Sequence, residues 1–370
     1  MNPGPLAVHL VGSWSRPPWL SSPDIADALG SPDTFWRPAP EVRAAAQDDA
    51  TRLAILDQVE AGVDLVTDGE QRRQMFDRYF YGRLLGVDVD HPVMHRWGGP
   101  RAKPRDESWR RMAVSGDKGG VSPELPTPQV VGPVKWPGPL AVSDFHFLAD
   151  QLGGPERAKM TISGPITAMN RLADGYYHDS KAFGLAIAQA LNAEAHALAD
   201  AGCQFIQFDE PEFRSAHVAF GDVARQVVNE AVKGLAARGV TVWAHMCYGY
   251  ANVALDKRVN PEFEGALELL ASTEVAGVSI EYTQPGHDPS VLRALGSKGV
   301  VLGAINCAPD SPVETPEEVA ERLRGALGVV GAPERLHAST DCGMWFLPRS
   351  RAMAKLESLV AGARLVRQEL

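Results

Sequence analysis

Thr241-Val-Trp-Ala-His-Met-Cys247 begins as a short apolar run and closes on an imidazole and a thiol. A run this short, apolar on both faces, suits a strand covered by helices on a parallel sheet. Seven further runs share its character: LAVHLVG (6 to 12), VDLVTDG (63 to 69), KMTISGP (159 to 165), QFIQFDE (204 to 210), GVSIEY (277 to 282), GVVLGAI (299 to 305) and RLHASTDCG (335 to 343). Most are followed by a segment with helical spacing of apolar residues. After the third run, Phe183, Ala186, Ile187, Ala190, Leu191, Ala197 and Leu198 mark one helix face, which Asp179 or Ser180 can cap. After the seventh, Thr315-Pro316-Glu317-Glu318 has the form of a capping box with proline in the first turn. Eight strand–helix units suit closure, so the expected fold is α/β, a single (β/α)8 TIM barrel over 1–370. One stretch breaks the rhythm. From about 87 to 141, after the second run, Pro and Gly are dense and apolar periods few. It reads as an irregular insertion, a lid or an oligomer contact with a short hairpin of its own.

The composition narrows the function. The 370 residues are 45% hydrophobic and 22% charged, and the formal net charge is -10 without a Lys/Arg cluster. That balance disfavours nucleic acid and anionic lipid as partners and leaves small molecules, with a homo-oligomer open. No stretch has the apolar length of a membrane span, and the first residues lack the order of a signal peptide, so a cytoplasmic protein is expected. The four cysteines, at 203, 247, 307 and 342, are too few for a disulfide scaffold and read as core residues or metal ligands.

In a barrel of this kind the carboxyl ends of the strands converge on one mouth. The eight runs end in Gly12-Ser13, Asp68-Gly69-Glu70, Ser163-Gly164-Pro165, Asp209-Glu210, His245-Met246-Cys247, Glu281, Asn306-Cys307 and Asp341-Cys342-Gly343. So many groups that are costly to bury, at one end of the fold, point to a site rather than to packing. Residues two apart on a strand face the same way, so His245 and Cys247 share a face. With Cys342, and Glu281 as a fourth, they have the donor types that Zn2+ prefers. Two thiolates blunt the Lewis acidity of zinc, which makes a thiol a better partner than water. A thiol of free pKa ~8.5 is deprotonated on binding the metal and remains nucleophilic there. Glu281, a hard oxygen among softer donors, is the candidate exchangeable ligand.

At these residues the chain resembles the catalytic barrel of cobalamin-independent methionine synthase, in the superfamily that also holds uroporphyrinogen decarboxylase. VGSWSRP (11 to 17), TDGEQRR (67 to 73), ISGPITAM (162 to 169), IQFDEPEF (206 to 213), AHMCYGY (244 to 250), SIEY (279 to 282) and DCGM (341 to 344) follow the motifs of that family in order. The resemblance implies zinc on His245, Cys247, Glu281 and Cys342. It implies an amino-acid thiol such as homocysteine, its amine held by Glu70 and Asp209 and its carboxylate by Ser13 with the backbone around it. The full-length synthase has an additional amino-terminal barrel for polyglutamylated folate, which this sequence lacks. Where the family has a His-Ser-Pro type motif, the chain reads Asn306-Cys307-Ala308-Pro309. The expectation is therefore methyl transfer to homocysteine from another donor. Epoxide opening by a zinc-bound thiolate, as in epoxyalkane:coenzyme M transferases, is the alternative, and a metal-free decarboxylase or a non-catalytic barrel with structural zinc are others.

Asp209, Glu70 and Tyr248 are the candidate catalytic residues, and Gly12, Ser13 and Trp14 join the first two as candidate substrate contacts. Trp19, Tyr250, Trp345 and Phe346 also cluster after strand ends, and core packing explains several of these aromatics equally well. Cys203 reads as core, Cys307 as a buried thiol and His287 as a loop histidine. Glu210 and Glu212 flank Pro211, where pairing with Arg214 or another arginine competes with catalysis. Arg16, Arg72 and Arg73 lie in the same loops as the acidic pair, where a sulfonate would also want them.

Overall fold

The strands follow in the order β1 (Val8–His9), β2 (Leu85–Arg96), β3 (Lys103–Pro104), β4 (Val121–Ser122), β5 (Glu124–Lys135), β6 (Lys159–Ser163), β7 (Ala173–Asp174), β8 (Phe205–Asp209), β9 (Thr241–Met246), β10 (Gly277–Ile280), β11 (Gly299–Ile305) and β12 (Leu336–Thr340). They belong to a computed structural model that describes residues 3–24, 27–28, 31–96, 103–104, 121–122, 124–214, 220–249, 257 and 261–370. Seven of them form one parallel sheet, in the order β1-β12-β11-β10-β9-β8-β6. Every residue of β6, β8, β10 and β12 is buried, as strands covered on both faces require. The result is an α/β fold with a curled parallel sheet.

The run at 63–69 departs from expectation. It is two single parallel bridges, His9 to Leu65 and Ala158 to Val66, rather than a strand. Backbone bonds hold its middle, from Leu65 N to Val8 O, Val66 N to Arg157 O and Lys159 N to Val66 O, and side chains take the N–H groups beside them: the Asp64 carboxylate accepts from Val8 N at 2.7 Å, and Gln58 Oε1 accepts from Thr67 N at 2.9 Å. Gly69 and Glu70 then take positive φ, 63° and 56°, which ends any extended conformation. Even so, residues 65 and 66 touch both edge strands of the sheet, β1 and β6.

The expected helix starts are observed. Asp179 caps Ser180–Asp200 through Ala182 N, and Thr315 with Glu318 forms the capping box of Pro316–Val330. The stretch from 87 to 141 is more ordered than its composition suggests. β2 and β5, twelve residues each, pair antiparallel from Leu85–Lys135 to Arg96–Glu124, and β5 pairs with β7. Prolines are tolerated because a ribbon of so few strands leaves many N–H groups outside any ladder, and the register shifts between Asp88 and Val93, where Pro92 sits. Residues 97–102, 105–120 and 123 of this stretch lie outside the described residues. Its base is fastened by Glu194, which accepts from Trp136 Nε1, Leu140 N and Ala141 N at 2.7 to 2.9 Å. Among the described residues no helix is long and apolar enough to cross a membrane.

A polar chain fills the interior beneath the strand ends. The buried Lys159 ammonium donates to Leu10 O at 2.6 Å and to Gln207 Oε1 at 2.7 Å, and meets His9 Nδ1 at 3.0 Å. Gln207 Nε2 in turn donates to Asp209 Oδ1 at 2.6 Å. Lys159 thus reaches the mouth through one side chain.

Candidate active site

β8, β9 and the turns after β1 and β12 deliver polar side chains to a single cleft of about 510 Å³, counted with the solvent at its mouth. Val11, Ser13, Glu70, Asp209, His245, Cys247, Cys342 and Gly343 line it, joined by Phe76, Arg171 and Pro211. His245 and Cys247 reach it together because they stand two apart at the end of β9, and Cys342 arrives two residues beyond β12.

The donor atoms of His245, Cys247 and Cys342 lie within 4.8 Å of one another, and all three residues are buried. His245 Nδ1 is held by Ser279 Oγ at 3.0 Å, whereas the buried Nε2 has no hydrogen-bond partner among the described residues. An oriented imidazole with its second nitrogen unused is the form a metal ligand takes. The two thiols complete the case. The Cys342 thiol lies well below its ordinary range, first because Cys247 hydrogen-bonds to it, and Cys247 is pushed well up by the same contact and by burial. The pair readily accommodates one negative charge and resists a second, which a divalent cation would relieve. The chemistry of this set therefore fits zinc.

Glu281 lies outside that cluster of three. It is fully buried, with Oε1 paired to Lys257 Nζ at 2.6 Å and Oε2 accepting from Tyr248 N at 2.6 Å. Burial pushes its carboxyl up to about 7, against the pull of Lys257. Lys257 stays above its usual range because Glu281 and the two thiols outweigh the cost of burying it.

On the other wall, Glu70 Oε1 accepts from Thr161 Oγ1 at 2.9 Å and lies 3.6 Å from Arg73 Nη1. A Cβ on Gly12 would sit 2.5 Å from that oxygen, so only glycine lets the backbone pass beneath it. Burial raises the Glu70 carboxyl, with Arg73 opposing. Burial and then the charge of Glu70 push Asp209 up to about 7. Two carboxyls raised chiefly by burial, Asp209 by the charge of Glu70 as well, are relieved by a cation placed between them. Ser13 Oγ packs against Gly343, where any Cβ would collide with it.

Several expectations need correction. Trp14 is not among the residues lining the cleft: its indole is buried, and Nε1 donates to Asp57 at 2.8 Å because a buried N–H must find an acceptor. Tyr248 does not line the cleft either. Its ring stacks on Phe263 at 4.8 Å between centroids, and its hydroxyl meets His287 Nε2 at 3.2 Å, which makes His287 part of an aromatic cluster. Glu210 caps the helix Pro165–Arg171 through Ile166 N and Thr167 N, and Glu212 pairs with Arg171 at 2.7 Å. Arg72 pairs with Asp48 at 2.6 Å, while Arg16 bonds Glu70 O at 2.9 Å and lies over the Trp345 ring. Cys307 donates to Cys342 O at 3.2 Å and is not one of the three clustered donors. Cys203 is core, its thiol pushed up to about 12 by burial. Tyr250 lies outside the described residues. Sequence reasoning passed over Phe76, Arg171, Ser279 and Lys257. Ser279 was within reach, since it stands two before Glu281 on the same strand, but nothing local marks Lys257.

Comparison with known proteins agrees with this geometry. Residues 120–365 match the family described as "Cobalamin-independent synthase, Catalytic domain". The methionine synthase of Sulfurisphaera tokodaii is 30% identical over 365 residues, covering 99% of this chain and 94% of the relative. That of Saccharolobus solfataricus is 31% identical over 371 residues, covering 99% and 96%. A B12-independent methionine synthase from Shewanella sp. W3-18-1, solved with selenomethionine, superposes with a TM-score of 0.82 at 32% identity, over 99% of each chain. The chain belongs to the cobalamin-independent methionine synthase family.

Proposed function

We propose that the protein is a zinc-dependent methyltransferase that converts homocysteine to methionine, using a methyl donor other than polyglutamylated folate. One observation carries this reading: a cluster of soft donors and a pair of carboxylates line the same cleft. The first suits a metal that takes a thiol, the second suits an ammonium, and homocysteine has both groups. The sheet, in this reading, is a (β/α)8 barrel with residues 63–69 in the eighth place and the β2–β5 ribbon as an insertion after it. The protein works in the cytoplasm.

Bound to His245, Cys247 and Cys342, with Glu281 as an exchangeable fourth ligand, zinc would lower the pKa of the incoming thiol and keep its sulfur nucleophilic. The protein's own residues do the rest. Glu70 and Asp209 hold the ammonium, Glu70 fixed by Thr161 and Asp209 by Gln207. Ser13 and the N–H groups beside it receive the carboxylate. The amino acid is then fixed at one end, with its sulfur directed at the other wall, which supplies orientation. The thiol gives up its proton to solvent, a sulfur–methyl bond forms as the bond from methyl to the donor breaks, and the leaving group departs with that electron pair. Coenzyme M fits less well, because Arg16, Arg72 and Arg73 are engaged in internal contacts rather than facing a sulfonate.

The test is a panel of thiols against methyl-folate, methylcobalamin, S-methyl and epoxide donors, with products identified by mass. Methionine from homocysteine is the expected product. A preference for coenzyme M, or purified protein that retains no stoichiometric zinc, would count against the reading.

A further inference from the structure

We propose that Lys257 is a positioning residue that keeps Glu281 an exchangeable ligand, by giving its carboxylate a second buried place to sit. The inference rests on the function proposed above. Lys257 and Glu281 form an ion pair with side chains 1% and 0% exposed, and Lys257 Nζ also bonds Gly249 O at 2.6 Å. Gly249 N lies 3.3 Å from Cys247 Sγ, so the same ammonium ties the loop carrying one thiol to the strand end carrying the carboxylate. A buried carboxylate without a partner is strongly disfavoured, and a ligand that had to leave a metal for such a state would seldom leave. Lys257 removes that obstacle. Glu281 exchanges one cation for another, while Tyr248 N steadies its second oxygen. An entering thiol then competes with a weakened ligand.

The experiment uses the full-length, zinc-loaded protein with homocysteine as the probe. Thiol affinity is read by calorimetry and the ligand set by X-ray absorption at the zinc edge. In Lys257→Met the carboxylate keeps Tyr248 N but has no cation except the metal, so thiol affinity should fall about tenfold or more, zinc should pass to a chelator more slowly, and replacement of oxygen by sulfur should stay incomplete where the wild type is saturated. The same substitution in a Glu281→Gln background should leave thiol affinity unchanged. Glu281→Gln alone decides the matter if Lys257→Met does not fold. With Lys257 already weakening the carboxylate, its removal should tighten thiol binding by less than about threefold, whereas a full-strength competing ligand would give more than about tenfold. Thiol affinity of Lys257→Met within about twofold of wild type, or a tenfold gain in Glu281→Gln, overturns the proposal. A wild type that binds neither zinc nor thiol overturns the proposed function and this inference with it. A wild type that binds both, beside an unaltered Lys257→Met, overturns the inference alone.

Discussion

On the β9–β12 side of the cleft, three soft donors face one another with an imidazole nitrogen left over; on the opposite side, Glu70 and Asp209 are already braced by Thr161, Arg73 and Gln207. Both sides gather groups that resist burial, yet only one is complete within the protein. The acid side has its own internal partners, the Arg73 guanidinium against Glu70 and the buried Lys159 amine behind Gln207, which hold its carboxylates in place. Among the described residues the thiol side offers donors and the Lys257 ammonium, which is occupied with Glu281. Internal bracing suits a recognition surface, and its lack suits a metal site.

The most severe way to break this contrast is Cys342→Ala. Loss of one of three clustered donors should bring bound zinc well below one per chain and methionine formation down by about 1000-fold or more; metal analysis beside a product assay reads both. Full zinc content and activity in that variant would erase the distinction between the two walls.

Asp209→Asn probes the acid wall while leaving the metal in place. Zinc should remain stoichiometric, and kcat/KM for homocysteine should fall about 100-fold, the cost of a charge-assisted contact to the ammonium. A thiol lacking the amine should lose little. Equal losses for both thiols would show that Asp209 does not read the ammonium.

Ser279→Ala sharpens the comparison from the metal side. Ser279 fixes the His245 ring through Nδ1, so zinc affinity should weaken about tenfold with the acid wall untouched, as chelator competition would record.

The smallest effect concerns pH. Asp209, raised to about 7, holds an ammonium only when ionised. As pH falls through about 7 it protonates, so kcat/KM for homocysteine should decline below that point and level off above it. The decline should be much shallower for the thiol without an amine. A profile flat from pH 5.5 to 8 would mean that the acidic pair is already ionised throughout.

Much of this was legible in advance. His245 and Cys247 could be paired from their spacing alone, and seven of the eight apolar runs became strands of the sheet. The run at 63–69 makes only two bridges, because the side chains of Asp64 and Gln58 take the N–H groups of Val8 and Thr67, and an apolar pattern does not show where such side chains turn. A short hairpin was expected between 87 and 141, but the twelve-residue strands of the β2–β5 ribbon were masked by prolines, which exclude a central strand but not one in a small separate ribbon. Trp14 and Tyr248 stay off the cleft lining for a related reason: an aromatic after a strand end can face the cleft or turn from it, and Asp57 and Phe263 hold the two rings away.

The sequence by itself determined which chemical groups stand at the ends of the strands, because strand length and the alternation of side chains are local properties. Which of those groups meet was decided only by the tertiary structure. Glu281 lies against Lys257 and apart from the three metal-type donors because burial forces each charge to find a partner, and the partner within reach depends on how distant segments pack.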